Sequence, residues 1–233
     1  MRPAAAQTAE RSAARRRRTG WRTAAARALG ALGALVALGA LGLACLPAGA
    51  AAAPDDSLRA AAARWRAQRD SALAADPESP LPAAARARWA GLAYFPYDPR
   101  FRVPIELHAY ARQRPIRRPA TDGSWIEVER FGLAIGAVLG TPFRLAVYRV
   151  PDDGRLEVFF TDPTNGVQTY AAGRYVTLER QPDGRRVLDF NAAYNPYCAY
   201  DPAYACPLPP PENALPVPVR AGERAYEPAH PGH

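Results

Sequence analysis

Four carboxylates in the C-terminal half of the sequence could supply acid–base chemistry. They are Asp162, Asp189, Glu212 and Glu223. Two carboxylates that face each other across a cleft can act as general acid and general base, as they do in glycoside hydrolysis. A hydrolase of this kind would use Asp189 with Glu212 or with Asp162. The alternative is structural, because the same carboxylates can pair with arginines such as Arg174 or cap turns.

A second set of polar side chains is suited to binding a ligand. Its members lie in two segments, TYAAGRY at 169–175 and DFNAAYN at 189–195, and they are Tyr170, Arg174, Asp189, Asn191, Tyr194 and Asn195. Side chains of these types bond to small or extended ligands through hydroxyl, guanidinium and amide groups. They also bond to irregular backbone when they are buried, so a purely structural role is the alternative.

Cysteine and histidine are too sparse to indicate a cofactor. Cys198 and Cys206 lie eight positions apart and predict one disulfide. Closing so short a loop would stabilise the fold by roughly 2 to 2.5 kcal/mol; a metal pair or a reactive thiol is the alternative. His108 is the only histidine before residue 230, so a zinc site or a Ser-His-Asp triad would depend on it alone. We therefore predict no metal and no cofactor.

Residues 1–50 have the composition of an export signal. They hold eight arginines and one glutamate, which account for +7 of the net charge of +8. A leucine-rich run follows the arginines and ends in Ala48-Gly49-Ala50, so we expect a signal peptide cleaved after Ala50. An uncleaved anchor in the inner membrane and lipid attachment at Cys45 are the alternatives. Each version exports the domain to the periplasm or another extracytoplasmic space, and only this segment would contact a membrane.

The rest of the chain carries a net charge of only about +1. A nucleic-acid-binding protein needs a basic surface that displaces counterions from phosphates, so nucleic acid is excluded as a partner. All 30 basic residues are arginines, which excludes lysine chemistry such as Schiff-base formation. The length remaining after the leader fits one domain at 83–226, with a helix and linker at 51–82 and a disordered tail at 227–233.

The elements that would position the polar residues are a helix and an antiparallel sheet. Residues 55–75 are rich in alanine and arginine and contain no glycine or proline, which predicts a helix. One face of this helix would lean on the sheet, with its members at spacings of three and four: Leu58, Ala62, Trp65, Arg69 and Leu73. Prolines at 77, 80 and 82 end it, and a short helix is expected at 83–90.

From residue 101 onward the apolar positions alternate with polar ones, which predicts strands. The first strands are expected at 103–109, 125–131, 133–139 and 144–150. Three turn pairs, Asp153-Gly154, Asn165-Gly166 and Asp183-Gly184, then divide residues 143–191 into a four-stranded meander. The predicted fold class is mainly β with an N-terminal helix, an antiparallel meander curled into a barrel or packed as a sandwich.

The chain beyond Asn191 contains eight prolines before residue 219. Proline cannot donate to a strand ladder, so this segment is expected to wrap the domain as a proline-rich C-terminal arm. The two later turns also fix a register if each has two residues. A two-residue turn at Asp183-Gly184 would place Asn191 opposite Val176. A two-residue turn at Asn165-Gly166 would place Glu157 opposite Arg174, and a longer loop at 162–166 is the alternative. These registers gather one polar cluster at the end of the sheet, namely Tyr170, Arg174, Asp189 and Asn191.

The most distinctive segments are TDPTNGVQTYAAGRY at 161–175, LDFNAAYNPYCAY at 188–200, CPLPPPEN at 206–213 and AGE at 221–223. Over roughly residues 65–226 the sequence closely resembles the bacterial family known as domain of unknown function 1684. The four carboxylates named above fall inside the motifs of that family. The resemblance implies a domain outline and a candidate site, and it implies no reaction.

Three functions remain open from the sequence. The first is an exported, envelope-associated β-domain that binds an unknown small or extended ligand without catalysis. The second is an envelope hydrolase that uses the carboxylates. The third is an interaction module whose proline-rich arm is the contact surface.

Overall fold

A helix precedes the sheet, as the composition of residues 55–75 predicts. The computed structural model describes residues 54–150 and 154–227, in which helix α1 spans Pro54–Ala75 and α2 spans Ala83–Arg86. The predicted face of α1 is turned toward the domain, because Leu73 is buried and Leu58, Ala62, Trp65 and Arg69 are half-buried. Helix α2 has four residues, so it is shorter than the helix predicted at 83–90.

Six antiparallel strands close into a barrel, which confirms the predicted mainly β fold. The strands follow one another in chain order, and the first pairs with both the second and the last. Their bounds are β1 Arg102–Pro119, β2 Trp125–Val138, β3 Thr141–Arg149, β4 Leu156–Phe160, β5 Arg174–Arg180 and β6 Arg186–Asp189. The last four strands form the four-stranded meander predicted from the turn residues.

Strand β2 is continuous where the sequence predicts two strands, at 125–131 and 133–139. Gly132 borders a register shift in the pairing of β2 with both of its neighbours. A Cβ atom at this position would lie 2.3 Å from the carbonyl oxygen of His108. The glycine therefore marks a bulge at which two backbones approach closely, and it does not begin a turn.

The hairpin between β5 and β6 differs by one residue from the predicted register. The Gln181 N–H donates to the carbonyl of Arg185 at 2.8 Å, so the loop has three residues, and Gly184 adopts a φ of 85°. A type I turn followed by a left-handed residue is the usual three-residue hairpin loop. The extra residue pairs Leu178 with Leu188, and the predicted pairing of Asn191 with Val176 is wrong.

The loop between β4 and β5 is also longer than two residues. It covers 161–173, and Phe160, not Glu157, is the residue that pairs with Arg174. Side chains hold this loop together: Asn165 accepts a hydrogen bond from the Asp162 N–H at 2.6 Å, and Asp162 accepts one from the Thr164 N–H at 2.9 Å. These local bonds satisfy backbone groups that a tight hairpin would have paired.

Both faces of the barrel wall are covered around β4. Val158 and Phe160 lie in the barrel core, whereas the intervening Phe159 packs outside against Tyr148, Tyr175 and the arm. All five residues of β4 are buried for this reason. A strand that is covered on both faces loses the alternation of exposed and buried positions that a half-exposed strand shows.

The arm crosses the outside of the barrel in short 3-10 turns, at Phe190–Ala192, Tyr197–Ala199 and Pro211–Asn213. Asn213 is fully buried and substitutes for a missing strand. Its amide accepts a bond from the Ala146 N–H at 2.7 Å and donates to the carbonyls of Ala146 and Phe159 at 3.0 and 2.7 Å. These groups of β3 and β4 lie beyond the last paired residues of the two strands, so one side chain completes the ladder there.

Arg174, at the start of β5, fastens the end of the arm to the barrel. Its side chain is fully buried, and it donates to Asp162 Oδ2 at 3.0 Å. The same guanidinium donates to three backbone carbonyls of the arm, those of Val219, Ala221 and Glu223. The central carbon of this guanidinium, Cζ, lies 5.3 Å from the centroid of the Phe160 ring. One cation therefore joins a loop, a strand and the arm.

We expect Arg174→Ala to lower the free energy of unfolding by about 3 to 5 kcal/mol, because the substitution leaves Asp162 as a buried charge without its partner. Urea denaturation followed by tryptophan fluorescence measures the change. Arg174→Lys should recover little, since an ammonium group cannot reach all the acceptors that the planar guanidinium reaches. Arg185→Ala, which removes an exposed ion pair with Asp183, is the control; an equal loss in both variants would contradict the assignment.

Candidate functional site

A cavity of about 480 Å³ lies between helix α1 and the outside of the barrel. The helix provides one wall: Leu58, Ala61, Ala62, Trp65 and Arg69. The barrel and the start of the arm provide the other: Arg102, Arg155, Thr177, Glu179, Asp189, Asn191, Ala192 and Tyr194. One wall is mainly small and apolar, whereas the other is mainly charged and polar. A volume of this size is within the range of small-ligand sites.

The alternation of the strands explains why the charged wall faces the helix. Val103, Leu178 and Leu188 belong to the barrel core. Adjacent residues of a strand point to opposite faces, so Arg102 on β1, Glu179 on β5 and Asp189 on β6 point outward. Because β1 and β6 pair directly and β6 pairs with β5, these three side chains meet under α1.

Arg102 lies between the two carboxylates of this wall. Its Nη2 donates to Glu179 Oε2 at 3.2 Å, and its Nε lies 3.4 Å from Asp189 Oδ2. Burial raises the pKa of both the Glu179 and the Asp189 carboxyl, and the charge of Arg102 opposes that shift. The three groups form a compact cluster in which one guanidinium lies between two carboxyl groups.

Arg69 holds the helix against the arm at the edge of the cavity. Its Nε donates to Glu223 Oε1 at 3.0 Å, and its Nη2 donates to the carbonyl of Asn195 at 3.1 Å. Glu223 is fully buried and also accepts bonds from the Asn195 N–H at 2.7 Å and the Tyr200 hydroxyl at 2.9 Å. The Arg69 guanidinium stacks over Tyr194, 5.1 Å from the ring centroid. The helix wall is therefore tied to the arm by a buried ion pair.

The structure divides the six polar residues that the sequence predicts to bind a ligand. Asp189, Asn191 and Tyr194 line the cavity. Arg174, Tyr170 and Asn195 do not line it, and Arg174 is buried on Asp162 and the arm. The one-residue difference in the β5–β6 register and the longer β4–β5 loop account for the separation, because the predicted pairing alone had brought Arg174 beside Asp189.

Tyr170 and Asn195 are bound within the protein. The Tyr170 hydroxyl lies 3.7 Å from the sulfur of Cys198. Asn195 is fully buried, and its amide donates to the carbonyl of Arg224 at 2.8 Å. Neither of them lines the cavity, and the contacts of both are with other parts of the protein.

Asn191 combines the two roles. Its Oδ1 accepts from the Asp98 N–H and its Nδ2 donates to the Asp98 carbonyl, both at 2.9 Å. Its own backbone N–H and Nδ2 each donate to Asp189 Oδ1 at 2.9 Å. These bonds hold the Asp189 carboxylate in a fixed orientation at the cavity wall.

The carboxylate pairs predicted for a hydrolase do not line one cavity. Asp162 is buried and accepts bonds from Arg174 and from the backbone N–H groups of Thr164 and Val219. Glu212 is on the surface and forms an ion pair with Arg130 at 3.2 Å. Only Asp189 of the predicted candidates reaches the cavity.

Sequence reasoning missed Arg102, Arg155, Glu179 and the contribution of helix α1 to the site. Arg102 directly precedes the first predicted strand at 103–109, and Glu179 lies in the strand between two predicted turns. The alternation of polar and apolar residues along each strand could have assigned these charged residues to the outer face of the sheet. Placing them side by side needs the correct order of strands around the barrel.

Cys198 and Cys206 are both free thiols, so the predicted disulfide is not formed in this structure. They are buried next to each other, and the Cys198 N–H donates to the sulfur of Cys206 at 3.3 Å. A hydrogen bond from the Cys206 thiol, assisted by the hydroxyls of Thr121 and Tyr170, lowers the pKa of Cys198 to about 6. The same bond raises the pKa of Cys206.

Two further findings apply to residues 54–150 and 154–227. No helix there is long and apolar enough to span a bilayer. No group of three or more histidine, cysteine or acidic side chains there is arranged to hold a metal ion. The predicted leader at 1–50 lies outside the described residues, as does the tail from residue 228.

The fold and the site define a small antiparallel β-barrel with a cavity between its outer wall and an N-terminal helix. The chain belongs to the family described as "Protein of unknown function (DUF1684)", which matches residues 87–224. Among solved structures it is similar to an uncharacterized protein of Haloarcula marismortui determined by solution NMR, with 31% identity and a TM-score of 0.58. The alignment covers 73% of this chain and 95% of that one. Comparison with curated proteins gives no match.

We expect the thiolate absorbance of Cys198, measured in a Cys45→Ala background, to titrate with a midpoint at pH about 6. Cys206→Ala removes the donor and should move the midpoint up toward the usual value of about 8.5, whereas Cys206→Ser keeps a donor and should move it less. A midpoint near 8.5 in the parent protein, or equal shifts in the two variants, would refute the hydrogen bond as the cause.

Proposed function

We propose that this protein is an exported, non-catalytic domain that binds a small ligand in the cavity between α1 and the barrel. The observation that carries the proposal is the cavity itself, with an apolar wall on the helix and a charged wall on β1, β5 and β6. Ligand sites are typically concave and mainly apolar, with a few oriented polar groups. This cavity is concave and has an apolar wall opposite a wall of oriented polar groups.

The fixed orientation of the polar groups supports binding. Asn191 holds Asp189, Glu223 holds Arg69, and Arg102 is held between two carboxylates. A site whose side chains are already ordered loses little conformational entropy when a ligand arrives. The cavity is therefore suited to a ligand of defined shape.

A hydrolase is the alternative, and the placement of the carboxylates gives it less support. Asp162, Glu212 and Glu223 do not line the cavity, and each has an arginine partner. Two carboxylates, Glu179 and Asp189, do line it, but Arg102 lies between them. A general acid and a general base need open space between them for the reacting bond and water, and here that space contains a guanidinium.

The interaction-module hypothesis requires the arm to be a contact surface. The arm packs its own side chains inward, since Cys198, Tyr200, Cys206 and Asn213 are all buried. Its hydrogen-bonding capacity is used by Arg174, Arg69 and the barrel strands. This supports a role for the arm within the domain.

Export rests on the sequence of residues 1–50, with its arginines, leucine-rich run and Ala48-Gly49-Ala50. In a host that secretes the protein, we expect mass spectrometry of the product to give an N-terminus at Ala51. Replacing Ala48 and Ala50 by arginine should block cleavage, because signal peptidase requires small residues there. A product in the envelope that retains Met1 would support the anchor; full-length protein in the cytoplasm would contradict export.

The cavity is tested with thermal melts against a panel of amino acids, sugars, nucleotides and carboxylic acids. We expect at least one compound to raise the Tm of the parent protein, since a ligand that binds only the folded state stabilises it. Ala62→Leu, on the cavity wall, should abolish the shift by filling space. Ala63→Leu is the matched control, because Ala63 is exposed on the same helix and is absent from the cavity lining.

The outcomes separate the hypotheses. A shift lost in Ala62→Leu and kept in Ala63→Leu supports the cavity as the site. An equal shift in both variants places the ligand elsewhere and contradicts the proposal. Conversion of the bound compound, followed by NMR over a day, would replace the binding function by an enzymatic one.

A further inference from the structure

The charges around the cavity are balanced within the protein. Each arginine that lines it already has a carboxylate: Arg69 with Glu223 at 3.0 Å, Arg102 with Glu179 at 3.2 Å and Asp189 at 3.4 Å, and Arg155 with Glu157 at 3.9 Å. The three lining arginines are thus paired with four carboxylates.

This balance disfavours an ionic ligand. A phosphate or a carboxylic acid would have to displace a resident carboxylate from its arginine, and an amine would have to displace an arginine from its carboxylates. Each pair has at least one mostly buried member, and breaking the pair would leave that charge without its partner. A ligand without net charge avoids this cost.

The same wall still has capacity for hydrogen bonds. Among the described residues, the bonds that Glu179 accepts from Arg102 and Gln181 both reach Oε2, which leaves the lone pairs of Oε1 for a ligand. Arg102 carries five N–H donors, and two of its nitrogens face the carboxylates. The Thr177 hydroxyl lies on the same wall and can both donate and accept. The cavity therefore offers donors and acceptors side by side.

A hydroxyl group matches this arrangement because it donates to a carboxylate and accepts from a guanidinium at once. Neighbouring hydroxyls on one ring can contact Glu179, Arg102 and Asp189 together. The opposite wall presents Leu58, Ala62 and the Trp65 ring, which suit the C–H face of such a ring. Trp65 is held in place by an edge-to-face contact with Tyr94, at a centroid distance of 6.3 Å.

We infer that the cavity binds a neutral, hydroxyl-rich ring compound, a mono- or disaccharide, with its hydroxyl edge on the barrel wall and its C–H face on helix α1. This inference rests on the proposed function and specifies its ligand class. The charge pairing of the wall and the contrast between the two walls carry it.

The experiment is isothermal titration calorimetry of the purified protein with three groups of compounds. The first group is neutral saccharides: glucose, galactose, mannose, N-acetylglucosamine, maltose and cellobiose. The second is anions: acetate, succinate and inorganic phosphate. The third is amines: putrescine and spermidine. We expect binding in the first group only, with an affinity that changes little between about 0.1 M and about 1 M salt, since screening acts on charged partners.

Variants test the position of the saccharide. Glu179→Gln, which replaces one acceptor oxygen of the cavity wall by an amide donor and removes its charge, should weaken binding at least tenfold, as should Ala62→Leu. Glu127→Gln, an exposed position on β2 outside the cavity, and Ala63→Leu should leave the affinity unchanged. Melting curves without ligand show whether each variant is folded, and Glu179 is partly exposed, so its replacement is compatible with folding.

The results distinguish failure of this inference from failure of the proposed function. Saccharide binding that Glu179→Gln and Ala62→Leu weaken supports both. Binding of an anion or amine that Ala62→Leu abolishes overturns the ligand class and leaves the cavity as a binding site. Saccharide binding that is equal in all variants overturns the assignment to this cavity. Absence of binding in all three groups overturns the inference, and absence in the wider melt panel as well overturns the proposed function.

Discussion

A single buried guanidinium, that of Arg174, joins the end of the proline-rich arm to the barrel. It binds one carboxylate, Asp162, and three carbonyls of a chain segment that cannot form a strand. Burial lowers the pKa of Arg174, and Asp162 opposes the shift. The planar fork of arginine can satisfy this many acceptors in one place. Without it three carbonyls at the end of the proline-rich arm would lose the donor that joins them to the barrel.

Many of the residues that carry the family resemblance are those that hold the proline-rich arm against the barrel. Gly173, directly before Arg174, adopts a φ of 98°, and a Cβ there would lie 2.6 Å from the Phe160 carbonyl oxygen. Gly222 adopts a φ of 77°, and its Cβ would lie 2.4 Å from the Ala193 carbonyl oxygen. Asn213 and Glu223 bind backbone groups of the barrel and the arm. These motif residues are thus explained by folding, whereas Asp189, Asn191 and Tyr194 of the same motifs line the cavity.

The sequence predicted the elements better than their pairing. Alternation identified the barrel strands, and the turn residues at 165–166 and 183–184 correctly separated β4, β5 and β6. Register failed because Pro182 precedes Asp183-Gly184 in a three-residue loop, and a shift of one residue reverses which side chains face each other. The continuous strand β2 was divided at Gly132 because a glycine at a bulge and a glycine at a turn look alike in a sequence. Asp189, Asn191 and Tyr194 were candidates from the sequence and line the cavity, whereas the place of Arg102 and Glu179 depends on which strands adjoin in the closed barrel.

Helix α1 stands apart from the barrel in one respect. It supplies a whole wall of the cavity, yet it precedes the segment 87–224 that defines the family, and it takes no part in the closure of the sheet. Changes to its small side chains can therefore reshape the cavity without disturbing the strands. In proteins built on this scaffold, the shape of the cavity can diverge through a peripheral helix while the barrel beneath it stays the same.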